Sequence, residues 1–99
     1  MERQELANQV IGMMKDKIFL GPTDDVQEDS RFREDLGGDS LDAIEVIMEV
    51  EREYGISIND TEGEALCSDT ATVKDFIDLT YQKIQERDER RKNLLRHGV

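Results

Sequence analysis

The feature that most constrains the fold of this chain is the spacing of its apolar residues, which recur three or four positions apart in four segments. This period places apolar side chains on one face of an α-helix, whereas a half-buried β-strand needs an alternation that no segment sustains. A chain of 99 residues suffices for one domain and not for two. The sequence therefore predicts an all-α fold, a small four-helix bundle with a long first loop and a short third helix.

The first predicted helix runs from about Arg3 to Phe19, and its apolar stripe consists of Leu6, Val10, Met13, Met14 and Ile18. The pair Gly21-Pro22 breaks this helix. A polar connection from Leu20 to Asp39 follows, and three apolar residues are expected to hold it against the bundle, namely Val26, Phe32 and Leu36. Structureless connections of this length are uncommon and often functional.

The other three helices are predicted from start and stop signals and from periodicity. The second starts at Asp39-Ser40 and ends at Gly55, and the short third helix lies within Asp60–Cys67. The fourth begins near Thr72 and reaches at least Ile84, with an apolar face made by Val73, Phe76, Ile77, Thr80 and Ile84.

Charge is abundant and unevenly distributed along the chain. There are 24 acidic and 13 basic side chains, which gives a formal net charge of −11. Such an excess of carboxylates repels phosphate backbones and anionic lipids, so we expect neither a nucleic acid nor a membrane as partner. Basic partner proteins are favoured instead.

The charge also divides the chain into two parts. Residues 1–86 carry a net −14, and residues 87–99 carry a net +3. We expect 1–86 to form the helical bundle and 87–99 to form a basic C-terminal extension, either helical or frayed. Opposite charges four positions apart, in Glu86 with Arg90 and Asp88 with Lys92, favour the helical form, whereas the like charges of Arg87 and Arg91 oppose it.

Other protein classes are excluded by composition. No apolar run is long enough to span a bilayer, and Met1–Glu5 lacks the pattern of a signal peptide. One Cys and one His exclude a disulfide framework and an ordinary zinc site, and no segment has EF-hand spacing. We expect a cytoplasmic monomer in which Cys67 is a small, partly buried apolar residue.

The second predicted helix has two apolar faces. At about 100° per residue, one tight stripe consists of Ala43, Val46, Ile47, Val50 and Tyr54. The opposite side carries Leu41, Ile44 and Met48, here called the outer stripe, which is fringed by Asp42, Glu45, Glu49 and Glu51. Because a helix in a bundle needs only one buried face, the outer stripe is predicted to dock another protein, with its carboxylates steering a basic surface. The alternative is that the third helix or the long loop covers it.

The segment before this helix, Gly37-Gly38-Asp39-Ser40, has unusual features. Two glycines permit positive φ values and the close approach of another molecule. Asp39 suits the N-cap, with Asp42 as the capping-box acid, which would leave the hydroxyl of Ser40 projecting outward at the positive end of the helix. The alternative is that Ser40 is itself an ordinary N-cap.

The same residues resemble a known family. The run Asp39-Ser40-Leu41-Asp42, preceded by Phe32 and Glu34-Asp35-Leu36-Gly37 and followed by residues 45–51, closely resembles the acyl carrier proteins, over about 80 residues in all. The resemblance implies that a phosphopantetheinyl transferase moves 4′-phosphopantetheine from coenzyme A onto the hydroxyl of Ser40. It further implies a partner-recognition face made by Asp39, Leu41, Asp42, Ile44, Glu45, Met48 and Glu49.

The function implied by the resemblance is that of a carrier and not of an enzyme. The thiol of the cofactor would hold acyl groups as thioesters and deliver them to basic-surfaced enzymes of fatty acid, polyketide or related lipid biosynthesis. No catalytic Ser-His-Asp arrangement is expected, because His97 is the only histidine.

Two alternatives remain open. The pair Gly37-Gly38 is similar to carrier domains of peptide and polyketide synthetases, which permits a free-standing aminoacyl or peptidyl carrier, although the acidic residues 1–86 favour the acyl class. From the residues alone, an unmodified acidic helical adaptor is the second alternative.

The chain also departs from the pattern of housekeeping acyl carriers. The segment Ile58–Val73 is longer, Asn59 replaces a frequent proline, and the basic extension is atypical.

Overall fold

The periodic apolar segments form four α-helices in a computed structural model, which describes residues 1–18 and 26–97. The helices are α1 (Arg3–Ile18), α2 (Ser40–Tyr54), α3 (Asp60–Leu66) and α4 (Val73–His97). Within these residues the only β-type pairing is an isolated bridge between Arg31 and Thr72. The predicted all-α four-helix fold is confirmed. Phe19 and the first part of the predicted loop lie outside the described residues.

The core is formed by the apolar faces that the periodicity predicts. Buried residues come from α1 (Leu6, Val10, Met14), from α2 (Ala43, Val46, Ile47, Val50, Tyr54) and from α4 (Val73, Phe76, Ile77, Ile84). Thr80 is also buried, and its hydroxyl donates to the carbonyl of Phe76 at 2.7 Å, so its polar atom is satisfied. Met13 is only partly buried against this core.

The connection before α2 is held by the apolar residues expected to hold it. Phe32 is fully buried, and its ring centroid lies 5.3 Å from that of Phe76. Val26 and Leu36 pack against the core while partly exposed. Three backbone N–H groups complete the attachment: Phe32 donates to Ala71, Val73 to Ser30, and Lys74 to Glu28, at 3.0, 3.0 and 2.7 Å. The loop thus supplies acceptors to the N–H groups of Val73 and Lys74 in the first turn of α4, and Thr72 accepts from the N–H of Asp75.

The shortest helix is stabilised at its start by side chains. Asn59 is the N-cap of α3: its side chain accepts from the N–H of Glu62 at 2.8 Å, and Glu62 accepts from the N–H of Asn59 at 3.0 Å. Glu62 also forms an ion pair of 2.9 Å with Lys83 of α4. This reciprocal capping explains how a seven-residue helix forms where Asn59 replaces a proline.

The C-terminal extension continues α4 without a break as far as His97. The two ion pairs predicted there are wrong: Glu86 lies 3.9 Å from Lys83, and Asp88 lies 2.8 Å from Arg87, whose guanidinium lowers the pKa of the Asp88 carboxyl. Arg87 also donates to the carbonyl of Tyr54, the last residue of α2. The physical reason for the different pairing is that other cations of α4 lie within reach of the same acids. The carbonyl end of α2 attracts Arg87, as it does cations in general. None of the described helices has the length and apolar content of a membrane span.

Candidate functional site

Ser40 is the first residue of α2, and its side chain is exposed. Asp39 precedes it as the N-cap: its carboxylate accepts from the N–H of Asp42 at 2.9 Å, and the Asp39 N–H donates to the Asp42 carboxylate at 3.1 Å. The alternative in which Ser40 is the N-cap is therefore wrong. Because the two aspartates satisfy each other, the Ser40 hydroxyl is not used in capping, and it forms no hydrogen bond within the described part of the chain.

The two glycines before this site have different roles. Gly37 has a φ of 76°, a left-handed conformation that favours glycine. Gly38 is buried and has an ordinary φ, but a Cβ there would lie 2.6 Å from Cε1 of Phe32. The expectation that both glycines serve the approach of another molecule is therefore wrong for Gly38. This position requires glycine because the ring of Phe32 occupies the space that a side chain would fill.

The start of α2 also offers unpaired backbone donors. The N–H groups of Ser40 and Leu41 have no acceptor among residues 1–18 and 26–97. Such groups carry the positive end of the helix dipole and favour a neighbouring anion. A phosphate ester on the hydroxyl of Ser40 would lie next to them, so the residues present fit a phosphate-linked group.

The outer stripe is exposed to solvent. The exposed fractions of Leu41, Ile44 and Met48 are 63%, 45% and 60%, and neither α3 nor the described part of the loop covers them. The inward stripe of the same helix is buried throughout. The helix thus has one buried and one exposed apolar face, and the docking role of the exposed face stays a prediction.

The four carboxylates around the outer stripe differ in what they contact. Glu45 is exposed and has no ion-pair partner within the described residues. Glu49 lies 3.3 Å from the ammonium of Lys17 on α1, and Asp42 is engaged in the capping box. Glu51 accepts from the N–H of Ile58 at 3.0 Å, which holds the turn between α2 and α3. Only Glu45 presents a carboxylate without a protein partner there.

A groove of about 530 Å³ begins at Ser40 and runs between α2 and α3. Its walls include the side chains of Ile44, Ile47, Met48, Ile58 and Cys67. Cys67 is partly buried, as predicted for it. The helices approach closely at Gly63, where a Cβ would lie 4.0 Å from Cδ1 of Ile47.

Sequence reasoning missed the contribution of α3 to this groove. The available signal was the spacing of Gly63, within α3, and Cys67, its C-cap, which are two small residues four positions apart. Within the described ranges, no three His, Cys, Asp or Glu side chains are grouped so that they could hold a metal ion.

Comparisons with known proteins bear on the same segment. Residues 8–78 match a family model described as "Phosphopantetheine attachment site". The chain is 50% identical to "Acyl carrier protein" of Sulfurovum sp. (strain NBC37-1) over 72 residues, which cover 73% of this chain and 89% of that protein. It is 38% identical to "Acyl carrier protein" of Thermosynechococcus vestitus over 84 residues, covering 85% and 98%, and 37% identical to that of Chloroherpeton thalassium over 79 residues, covering 80% and 92%.

Proposed function

Since this chain belongs to the acyl carrier protein family and contains a phosphopantetheine attachment domain, we propose that Ser40 is the residue to which 4′-phosphopantetheine is attached. The observation that carries this proposal is the capping box, in which Asp39 and Asp42 satisfy each other and leave the exposed hydroxyl of Ser40 available. The unpaired N–H groups of Ser40 and Leu41 support it further, because they stabilise a phosphate at this position.

The protein residues have a limited chemical part in the attachment. The Ser40 oxygen forms the new bond to the phosphorus next to pantetheine, while the pyrophosphate P–O bond of coenzyme A breaks and adenosine 3′,5′-bisphosphate leaves. The proton of the Ser40 hydroxyl must be removed in the same step. Asp39 and Asp42 are each engaged by a backbone N–H, so we assign removal of this proton to a base on the phosphopantetheinyl transferase. When bound, the group supplies a thiol that holds an acyl chain as a thioester, and the chain acts as a carrier and not as a catalyst.

Partner enzymes would recognise the face of α2 beside Ser40. The exposed outer stripe provides apolar contacts, and the carboxylate of Glu45 attracts a basic surface during encounter. Asp39, Asp42 and Glu49 add negative charge to the same face while remaining engaged in contacts within the protein. We propose basic-surfaced acyl-processing enzymes of fatty acid, polyketide or related lipid biosynthesis as partners, acting in the cytoplasm.

An acyl cargo is favoured over an aminoacyl one. The relatives from three organisms carry the name acyl carrier protein. The groove beside Ser40 offers apolar walls from Ile44, Met48 and Ile58, and these suit a hydrocarbon better than a charged amino acid.

The experiment is to incubate the purified chain with coenzyme A and a promiscuous phosphopantetheinyl transferase and to measure the intact mass. Wild type should gain one phosphopantetheine, and Ser40→Ala should gain none while keeping the helical circular dichroism of wild type. Ser57→Ala, which removes another exposed hydroxyl next to α2, is the matched control and should load fully. Loading of Ser40→Ala would refute the assignment of the serine, and failure of wild type to load would refute the carrier function.

A further inference from the structure

The end of α4 leaves the bundle and becomes a basic surface. Beyond Asp88, each side chain from Glu89 to Lys92 is exposed. The 25 residues of α4 span about 37 Å, against about 22 Å for the 15 residues of α2. The family match ends at residue 78, so the projecting turns lie beyond the segment that defines a carrier.

A cleft of about 310 Å³ lies where this part of α4 passes the end of α2. We call it the basic cleft, and it is lined by Ile56, Ser57, Lys83, Arg87, Arg90 and Arg91. Glu86 also borders it, 3.9 Å from the ammonium of Lys83. Of the residues that line the cleft, four are cationic and one, Glu86, is a carboxylate, on a chain whose net charge is −11.

The four cations are not equally engaged. Lys83 is paired with Glu62 at 2.9 Å, and Arg87 is held by Asp88 and by the carbonyl of Tyr54. Arg90 and Arg91 are exposed and form no salt bridge with a described residue, while the charge of Arg91 helps the Arg87 guanidinium to lower the pKa of the Asp88 carboxyl. Two guanidinium groups are thus available beside a third that is fixed in position by its own contacts.

We propose that the basic cleft is a second docking surface, which binds an acidic segment of a partner protein. Guanidinium groups recognise carboxylates through paired, charge-assisted hydrogen bonds, and the exposed hydroxyl of Ser57 adds a donor at the rim. The cleft has room for one or two Asp or Glu side chains. Extended polyanions are disfavoured, because the −14 of residues 1–86 repels a nucleic acid or an anionic membrane brought alongside.

This surface is separate from the face around Ser40. The two lie at opposite ends of α2, about 21 Å apart along the helix axis. A short acidic segment bound at the basic cleft therefore does not reach the outer stripe, and the two surfaces can be occupied by different ligands. The proposal does not depend on attachment at Ser40.

The test is a titration of isotope-labelled wild type with a short peptide that carries two adjacent glutamates between glycines, followed by amide chemical shifts at low salt. Shifts should concentrate at Ser57, Arg87, Arg90 and Arg91, and the same peptide with two glutamines should cause none. The variant Arg90→Gln/Arg91→Gln should bind the glutamate peptide about five- to tenfold more weakly, as expected from the loss of two charge pairs. The matched control is Arg52→Gln/Lys74→Gln, which removes the same charge from two exposed residues outside the cleft and should change affinity less than about twofold.

Several results would overturn the proposal. These are the absence of shifts at the cleft, an equal loss of affinity in both double variants, and tighter binding at the cleft of a DNA duplex or of phosphatidylserine vesicles than of the peptide. A dimer in sedimentation that the Arg90→Gln/Arg91→Gln variant abolishes would identify a second copy of the chain as the occupant, which also contradicts it.

Discussion

The ring of Phe32 packs directly against the α-carbon of Gly38. A Cβ at Gly38 would lie 2.6 Å from Cε1 and 2.8 Å from Cζ of that ring, much closer than carbon atoms approach in proteins. Phe32 is fully buried against Phe76 and cannot move aside without disturbing the core. The absence of a side chain at position 38 therefore determines how the chain enters α2, two residues before Ser40.

We expect Gly38→Ala to lower the free energy of unfolding by about 1–3 kcal/mol, because the added methyl group overpacks a filled site. Gly12→Ala is the control, since a Cβ at that exposed position of α1 meets nothing within 4 Å. This control should raise stability by about 0.5–1 kcal/mol, the usual gain of Ala over Gly within a helix. Urea unfolding measures both, and a Gly38→Ala variant as stable as wild type would contradict the packing argument.

The two apolar faces of α2 should respond differently to truncation. Ile47→Ala removes a buried side chain and should cost about 2–4 kcal/mol of stability. Ile44→Ala, with the same chemistry on the exposed face, should cost well under about 1 kcal/mol. Urea melts of the two variants make the comparison. Equal destabilisation would mean that the outer stripe belongs to the core.

Substitutions on the two faces should also differ in their effect on the rate at which the phosphopantetheinyl transferase loads the protein. Ile44→Ala and Met48→Ala should load more slowly than wild type, because they remove apolar contacts of the proposed recognition face. Val50→Ala, a buried position away from that face, should load at a rate close to that of wild type under conditions where it stays folded. The opposite order of rates would place the docking face elsewhere.

The carboxylates of α2 should act mainly on the rate of encounter. Glu45→Lys should slow loading with little change in stability, because Glu45 has no ion-pair partner among the described residues and steers a basic surface. Glu49→Lys should also lose stability, since it places a cation opposite Lys17. The wild-type rate should fall as salt is added, because screening at 0.15 M acts beyond about 8 Å. A loading rate that changes neither with added salt nor with Glu45→Lys would exclude electrostatic steering by this face.

The ion pair between Glu62 and Lys83 should make part of the stability depend on pH. The hydrogen bond from Lys83, with that from the Asn59 N–H, lowers the pKa of the Glu62 carboxyl below its usual value near 4.5. A lowered folded-state pKa means that the unfolded chain takes up the proton first. The stabilisation is therefore complete above about pH 4.5 and is lost as the pH falls through the folded-state pKa.

Lys83→Met removes this pair and provides the measurement. At pH 7 the variant should be less stable than wild type by under about 1 kcal/mol, which is typical of a pair near the surface. This difference should shrink and disappear as acid is added below pH 4.5. A difference that stays constant down to pH 3 would show that packing of the Lys83 stem, and not the ion pair, is responsible.

The parts of the fold that the sequence predicted are those governed by local rules. The start of α2 at Asp39-Ser40 and its end at Gly55 follow from capping preferences that involve residues three or four positions apart. The separation of a buried and an exposed stripe on α2 follows from helix geometry alone. Both features could be predicted because the residues that determine them are close together along the chain.

The features that could not be predicted depend on how the helices pack. The ion pair of Lys17 with Glu49, the contact of Arg87 with the carbonyl of Tyr54, and the approach of α3 at Gly63 each join different helices. Periodicity determines which face of a helix is buried and leaves open which residue of another helix it meets. Within α4, spacing likewise leaves open which of several nearby cations an acid contacts: Glu86 lies near Lys83 and Asp88 near Arg87, and not near the residues four positions on.

The backbone bonds between residues 28–32 and residues 71–74 impose an order on the assembly of the chain during its synthesis. These hydrogen bonds cannot form until the first turn of α4 has been synthesised. The contact between the rings of Phe32 and Phe76 likewise requires that Phe76 has been synthesised. Because Phe32 in turn fixes the approach to α2, a nascent chain that stops before Phe76 has the serine but lacks the contacts that fix the helix start around it. If Ser40 is the attachment site as proposed, a transferase meets the fully formed helix start only after Phe76 has left the ribosome, so we expect modification to follow folding.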